Sequence, residues 1–369
     1  MKKNSNLNFD YIRQIIELPI LFTLSFRKSR TIRNPKKILI INTCLIGDIV
    51  SSLHAMNQYI KHRKNAQIDV MVPSHSKSIV ERLKGINKIY IAKSVSNRKD
   101  ETMNLTDEQL KEIMANQYDL ILVMRISREA YSLMRKLKTS DIKVSFLSYM
   151  TYIFHLIKNI VWKGKVKQYR EMNFKLVGEE IQNKKFEEIF NFTTEDYKQI
   201  AKMPVMAGKS KKIIIHAGKG WKKGWENWKW AELLRRINKL GNFKFIFIGN
   251  DKKEEADFKN IQSNLNFKIY SLIKKVNLSE LFLIMRKSDY FIGIDSGPRN
   301  MAHLADLRSV SLLGPGPKHF MPLDEKDVVI DKSDCRCTHL FCFKKKTCMQ
   351  KITVEDVFEG FKRLKALKR

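Results

Sequence analysis

The feature that most restricts the fold is a rhythm. Short, almost wholly apolar runs end at polar or glycine-containing turns, and each is followed by a stretch of helical length. Runs at 37–43, 67–72, 88–91 and 118–124 alternate with helix-compatible stretches at 48–61, 76–83 and 106–116. Runs that are apolar on both faces suit parallel strands whose sheet is covered by helices on both sides. The rhythm lapses over 148–200, which is mostly helical in pattern and rich in Lys and aromatics, and restarts at 212–217. The second series places strands at 243–248, 290–294 and 309–313, and helices at 228–240, 254–264, 277–286, 300–306 and 354–367. Thr106, Asn277 and Thr353 stand where N-caps belong. Alternation at this spacing predicts an α/β chain of two doubly wound halves. The expected boundaries are an N-terminal extension over 1–34, a first domain over 35–205, a second over 206–350 and a closing helix over 351–369.

In doubly wound folds ligands gather at the carboxyl ends of the strands, so the turns after the apolar runs are the places to look for chemistry. The run 290–294 stops abruptly in Asp295-Ser296-Gly297-Pro298, and a helix-compatible stretch begins at Asn300. Asp295 or Ser296 can cap that helix, and Pro298 suits its first turn. Backbone N–H groups at such an end attract phosphate. The first strand ends in Asn42-Thr43-Cys44-Leu45-Ile46-Gly47-Asp48. Gly47 permits a close backbone approach, and Asp48 is either a helix cap or a general base facing a cleft. After 212–217, lysines interleave with glycines from Lys219 to Lys223, which suits a phosphate-holding loop with Lys222 or Lys223 as the ligand. Trp221, Trp225, Trp228 and Trp230 crowd the same stretch, and Trp228 and Trp230 are expected to pack the next helix. At the corner after 243–248, Glu254 or Glu255 could bind a ribose diol or simply begin a solvated helix. Cys335, Cys337, Cys342 and Cys348 form a compact segment that could hold a structural zinc, remain as thiols or form disulfides.

The balance of 70 Lys+Arg against 38 Asp+Glu gives a formal charge of +32. It implies an anionic partner, whether nucleic acid, an acidic membrane or a phosphorylated substrate; a generally lysine-rich usage accounts for it equally well. Basic residues are spread along the chain rather than gathered in one arm, so no nucleic-acid partner is expected. Five cysteines in 369 residues are not a secreted disulfide framework. No cleavable signal is evident, and no apolar stretch reaches the roughly 20 residues that span a bilayer. The expected place is the cytoplasm. Within 1–34, large apolar side chains precede the cluster Arg27, Lys28, Arg30 and Arg33. Such a segment either lies on an anionic membrane surface or packs on its own domain.

Three groups of residues, taken in order, resemble a known family. They are Gly47-Asp48 after the first strand, Lys223-Gly224-Trp225 followed by Trp230-Ala231-Glu232-Leu233, and Asp295-Ser296-Gly297-Pro298 followed by Gly314-Pro315. This set is similar to glycosyltransferase family 9, the lipopolysaccharide heptosyltransferases. The resemblance runs from about 37 to the C-terminus and implies a GT-B fold, two Rossmann-like domains facing a cleft. It further implies inverting, metal-independent transfer from ADP-heptose to a glycolipid or oligosaccharide acceptor, with no cofactor beyond the nucleotide-sugar donor, at the inner face of the cytoplasmic membrane. By position, Asp48 matches the base, with Gly47 on the acceptor-side loop. Lys223, with Lys222 beside it, matches the lysine at the leaving diphosphate. Asp295 matches the acid that contacts the sugar, and Ser296, Gly297 and Pro298 match the phosphate-binding turn. Glu254 matches the ribose carboxylate more loosely. Asn300 stands where the family pattern has His, and Arg299 adds a charge beside it in a turn expected to face the sugar. A basic nucleic-acid-binding protein and a non-catalytic family member are the alternatives.

Overall fold

The computed structural model describes residues 34–92, 105–125, 141–144, 189–218, 224–314, 324–332 and 347–367. Its first half runs β1 (Lys37–Asn42), α1 (Ile46–Lys61), β2 (Gln67–Pro73), α2 (Lys77–Val80), β3 (Lys88–Ala92), α3 (Asp107–Ala115), β4 (Leu120–Arg125) and β5 (Asp141–Val144). After α4 (Thr194–Lys202) the second half runs β6 (Lys211–His216), α5 (Asn227–Asn238), β7 (Phe243–Phe247), α6 (Lys252–Ser263), β8 (Tyr270–Ser271), α7 (Leu278–Arg286), β9 (Tyr290–Ile294), α8 (Gly297–Leu304), β10 (Arg308–Leu313), β11 (Asp327–Asp331), α9 (Cys348–Lys351) and α10 (Val354–Ala366).

The strands form two parallel sheets, ordered β3-β2-β1-β4-β5 and β11-β10-β9-β6-β7-β8. The expected doubly wound α/β class is therefore what the chain adopts. In each sheet the order reverses beside the first strand, between β1 and β4 and between β6 and β9. Those reversals are the crevices where such folds take ligands. The apolar runs form the sheet centres because both of their faces are covered: Ile38, Leu39, Ile40 and Ile41 are wholly buried, as are Ile213, Ile214 and Ile215. Local chemistry sets the helix starts. Thr106, Asn277 and Thr353 cap α3, α7 and α10 as expected, each in a reciprocal capping box.

Three differences from the sequence expectation have physical causes. Of the stretch 76–83 only the four residues of α2 are α-helical, after a 3-10 turn at Ser74–Ser76, because it carries no long apolar stripe. β11 was not expected, since its short, half-exposed run sits at a sheet edge. Trp228 does not pack its helix: the buried stripe of α5 is Trp230, Leu233, Leu234 and Ile237, and Trp228, about 200° round from Trp230, is 62% exposed. Trp230 is buried as expected and meets Trp225 edge-on at 5.1 Å.

The halves are packed together by their own apolar surfaces. Phe282 of α7 stacks on Phe192 at 5.6 Å and meets Phe190 edge-on at 4.9 Å. Phe190 bridges to Leu83 of the first half. Arg82 holds Asp196 of α4 through both guanidinium nitrogens, at 3.0 and 2.9 Å. The closing helix α10 buries Val357, Phe361 and Leu364 in the core of the second half. Residues 1–33, with their apolar and basic stretch, lie outside the described residues.

Candidate active site

The carboxyl ends of β1, β6 and β9 carry the residues that converge. After β1, the chain turns through Thr43, Cys44 and Leu45 into α1, whose first turn holds Gly47 and Asp48. The N-cap is Leu45, which has no side-chain acceptor. Asp48 is therefore not the cap; it is a half-buried carboxylate in the first turn, where the helix dipole favours negative charge. After β9, the chain turns through Asp295 and Ser296 into α8, with Pro298 in its first turn.

These two helix starts touch. Asn300 Nδ2 donates to the Gly47 carbonyl at 3.2 Å. A methyl group on Gly297 would stand 3.0 Å from Ile46 Cβ, and one on Gly47 would stand 2.9 Å from Asn300 Nδ2. Glycine at both positions is what allows the backbones this close. Gly47 at the start of α1 and Gly297 at the start of α8 thus meet face to face.

Ser296 occupies the N-cap position of α8 but makes no side-chain cap bond. Its hydroxyl lies 2.9 Å from His216 Nδ1 and 3.1 Å from the Ile294 carbonyl. The other ring nitrogen, Nε2, lies 3.1 Å from Glu254 Oε1. Glu254 Oε2 accepts from the Asn250 and Asp251 amides at 2.6 and 3.2 Å. Burial alone pushes the Glu254 carboxyl up, but the His216 ring and the Asn250 amide outweigh it and hold the group below the usual carboxylate range. Glu254 is only 8% exposed. The expected open carboxylate is instead turned inward, onto His216. Sequence reasoning gave His216 no role; the available signal was a lone polar residue closing the apolar run Ile213–Ile215.

Arg299 departs further from expectation. It does not face the site. Its side chain is wholly buried, with Nη2 3.0 Å from Asp327 Oδ1 and Nε donating to Ser311 Oγ at 3.1 Å. His303 also points away from the turn, its Nδ1 3.3 Å from Asp327 Oδ2. It does not stand in for the missing His at Asn300. Burial pushes the Asp327 carboxyl up, but His303, Arg299 and Ser309 outweigh that and hold it low. Among the described residues, His303, Asp324 and Asp327 make the one group with metal-ligand spacing. The Asp327 oxygens are already taken by Arg299, His303, Ser309 and the Asp324 amide. Lys222 and Lys223 lie outside the described residues, as do Cys335, Cys337 and Cys342; Cys348 is buried at the start of α9.

Two doubly wound parallel sheets, with the helix starts of one set against those of the other at the strands' carboxyl edges, define the GT-B class of transferase fold. The chain belongs to glycosyltransferase family 9, the heptosyltransferases, whose family model matches residues 108–353. It is a glycosyltransferase. Lipopolysaccharide heptosyltransferase 1 of Campylobacter coli is 24% identical over 344 residues, which cover 89% of this chain and 98% of that protein. The fold is shared with solved structures. A family 9 glycosyl transferase from Veillonella parvula superposes with a TM-score of 0.69 at 15% identity, covering 89% of this chain and 97% of that one. The E. coli heptosyltransferase WaaC, solved with ADP-2-deoxy-2-fluoro heptose, superposes with a TM-score of 0.63 at 14% identity, covering 89% and 99%. Among the described residues, no helix is long and apolar enough to cross a membrane.

Proposed function

We propose that this glycosyltransferase moves a heptose from ADP-heptose, with inversion, to a lipopolysaccharide core or related cell-surface glycan. The contact between the α1 and α8 helix starts carries this proposal, because it sets Gly47 and its neighbour Asp48 against the Asp295–Gly297 turn. Inverting transfer needs a base on one side of the anomeric carbon and charge stabilisation on the other. Asp48 takes the proton of the acceptor hydroxyl. The freed oxygen pair attacks the anomeric carbon, whose bond to the diphosphate oxygen breaks. ADP leaves with that electron pair. The positive end of the α8 dipole and the Lys223 ammonium stabilise the departing charge, while Asp295 contacts the sugar and Lys222 assists at the phosphates. The ADP-heptose analogue held by the E. coli relative supports the choice of donor. The name of the Campylobacter coli relative supports the choice of acceptor. Such an acceptor lies at the inner face of the cytoplasmic membrane, where the basic N-terminal segment would meet anionic lipid.

A calorimetric screen of nucleotide-sugars tests the donor. ADP-heptose is expected to bind, and to be consumed with release of ADP when a heptose-accepting core saccharide is added; binding of another nucleotide-sugar in its place would overturn the choice. Lys223→Ala is expected to lower kcat by about 10²–10³-fold, the usual cost of one group at a developing oxyanion. Stopped-flow release of ADP reads this directly, and an unchanged kcat removes Lys223 from the leaving-group side.

A further inference from the structure

Lys229 is the third residue of α5, and on two counts this is an unfavourable place for a cation. The residue is only 7% exposed, and a lysine is almost never buried unless it is paired. It also stands in the first turn of a helix, where the dipole disfavours positive charge. Packing does not require it, since the apolar stripe of α5 is Trp230, Leu233, Leu234 and Ile237. What holds the ammonium is a second connection of the chain. Nζ donates to the Gln350 carbonyl at 3.0 Å and to the Ile352 carbonyl at 3.1 Å. Glu226 Oε2 pairs with it at 3.0 Å, and it lies 5.8 and 5.6 Å from the ring centres of Trp225 and Trp228. Trp225 Nε1 donates to the same Ile352 carbonyl at 2.9 Å. Gln350 and Ile352 belong to the end of α9 and the turn into α10, where backbone carbonyls run short of helical partners. Two side chains at the head of α5 thus clasp a turn that lies 121 to 127 residues further along the chain.

The clasp falls next to the lysine given a part in the reaction, because Lys223 stands two residues before Trp225. We propose that Lys229 is a positioning residue for Lys223. By tying the start of α5 to the turn between α9 and α10, it fixes the backbone just beyond Lys223 and so sets where that ammonium meets the leaving diphosphate. The proposal rests on the role assigned to Lys223 above. Lys229 acts at one remove: its own ammonium is engaged by Gln350, Ile352 and Glu226 and does not bind phosphate. A lysine is a point charge on a flexible stem, and a misplacement of roughly 1 Å can cost about 10²-fold in rate. A fixed backbone beside it therefore matters for turnover as well as for folding.

The test uses the full-length enzyme with ADP-heptose and a heptose-accepting core saccharide. Lys229→Met keeps the length of the side chain and removes the ammonium. Trp225→Phe is the milder variant: it removes one of the two donors to the Ile352 carbonyl and keeps a ring against Trp230. Phe361→Leu trims the core under α10 without touching the clasp, and serves as the stability control. The saturated kcat is read from ADP release well below every melting transition, with thermal melts alongside. Lys229→Met is expected to lower kcat by about 10–10²-fold, and Trp225→Phe by about threefold, the order of one neutral hydrogen bond. Phe361→Leu is expected to melt lower with kcat unchanged. Lys223→Ala/Lys229→Met is expected to match Lys223→Ala within about twofold, since a residue that acts through the Lys223 ammonium has nothing left to position. A kcat for Lys229→Met near that of wild type, an equal loss for Phe361→Leu at an equal melting shift, or multiplying losses in the double variant would overturn the positioning role while leaving Lys223 in place. An unchanged kcat for Lys223→Ala would overturn the leaving-group assignment and this inference with it.

Discussion

Asp48→Asn is expected to slow sugar transfer by about 10²–10⁴-fold, the range that a positioned general base contributes, with ADP affinity unchanged. The expectation follows from where the side chain stands. It is in the first turn of α1, half-buried, on a helix whose N-cap is the apolar Leu45. Capping therefore does not explain an acid there. The favourable interaction of a carboxylate with the helix dipole is worth about 0.3–1 kcal/mol, so Asn should cost little stability. The adjacent Gly47 carbonyl accepts from Asn300 of α8, so the α1 start belongs to the cleft and not to the outer surface. A base acts on the acceptor and leaves donor binding alone, which separates kcat from the ADP dissociation constant. Initial rates at saturating donor, set beside calorimetric ADP titration and a thermal melt, resolve the question. A variant that keeps full transfer, or that loses transfer only in step with its melting temperature, would remove Asp48 from the chemistry.

How much of this was legible in the sequence depends on whether the cause was local. Strands showed as apolar runs because both sheet faces are covered, and the caps at Thr106, Asn277 and Thr353 showed because a capping box closes within four residues. The turn Asp295–Pro298 was legible for the same reason: a strand end, a helix start and a proline lie side by side in the chain. The resemblance to family 9 rested on such local pieces. What was not legible joins distant elements. The Ser296, His216 and Glu254 chain unites β9, β6 and α6, and no spacing along the sequence announces it. Trp228 was misassigned because the phase of a helical stripe is set by which face meets the sheet. In the sequence Arg299 stands only as a charge beside the turn, because its partner, Asp327, lies on β11, an edge strand whose short and half-exposed run hides it.

Arg299→Met is expected to destabilise the protein by about 3–5 kcal/mol, the cost of leaving a buried charge without its partner, or on the order of ten degrees in Tm. The two side chains are 0% and 1% exposed, so water cannot replace the missing guanidinium. Asp327→Asn is expected to cost a similar amount, since it leaves Arg299 charged and buried. The double variant Arg299→Met/Asp327→Leu should recover only part of the loss, because the buried ion pair is removed as a pair but Ser309, His303 and the Asp324 amide lose their acceptor. Acid should tell the same story. The Asp327 carboxyl is held below its ordinary value, so its contribution is complete above the unfolded-state pKa of about 3.9 and is lost as pH falls through the lower folded-state value. Wild type should therefore lose stability below about pH 4 more steeply than Asp327→Asn, which has no such carboxylate to protonate. Urea melts of the four proteins at pH 7 and pH 3.5 measure both effects. Single variants that cost no more than the roughly 0.5 kcal/mol of an ordinary surface change would return Arg299 to the site. Large losses in both single variants place it in the frame that holds α8 against β10 and β11, which keeps Asn300 and Gly297 fixed against α1.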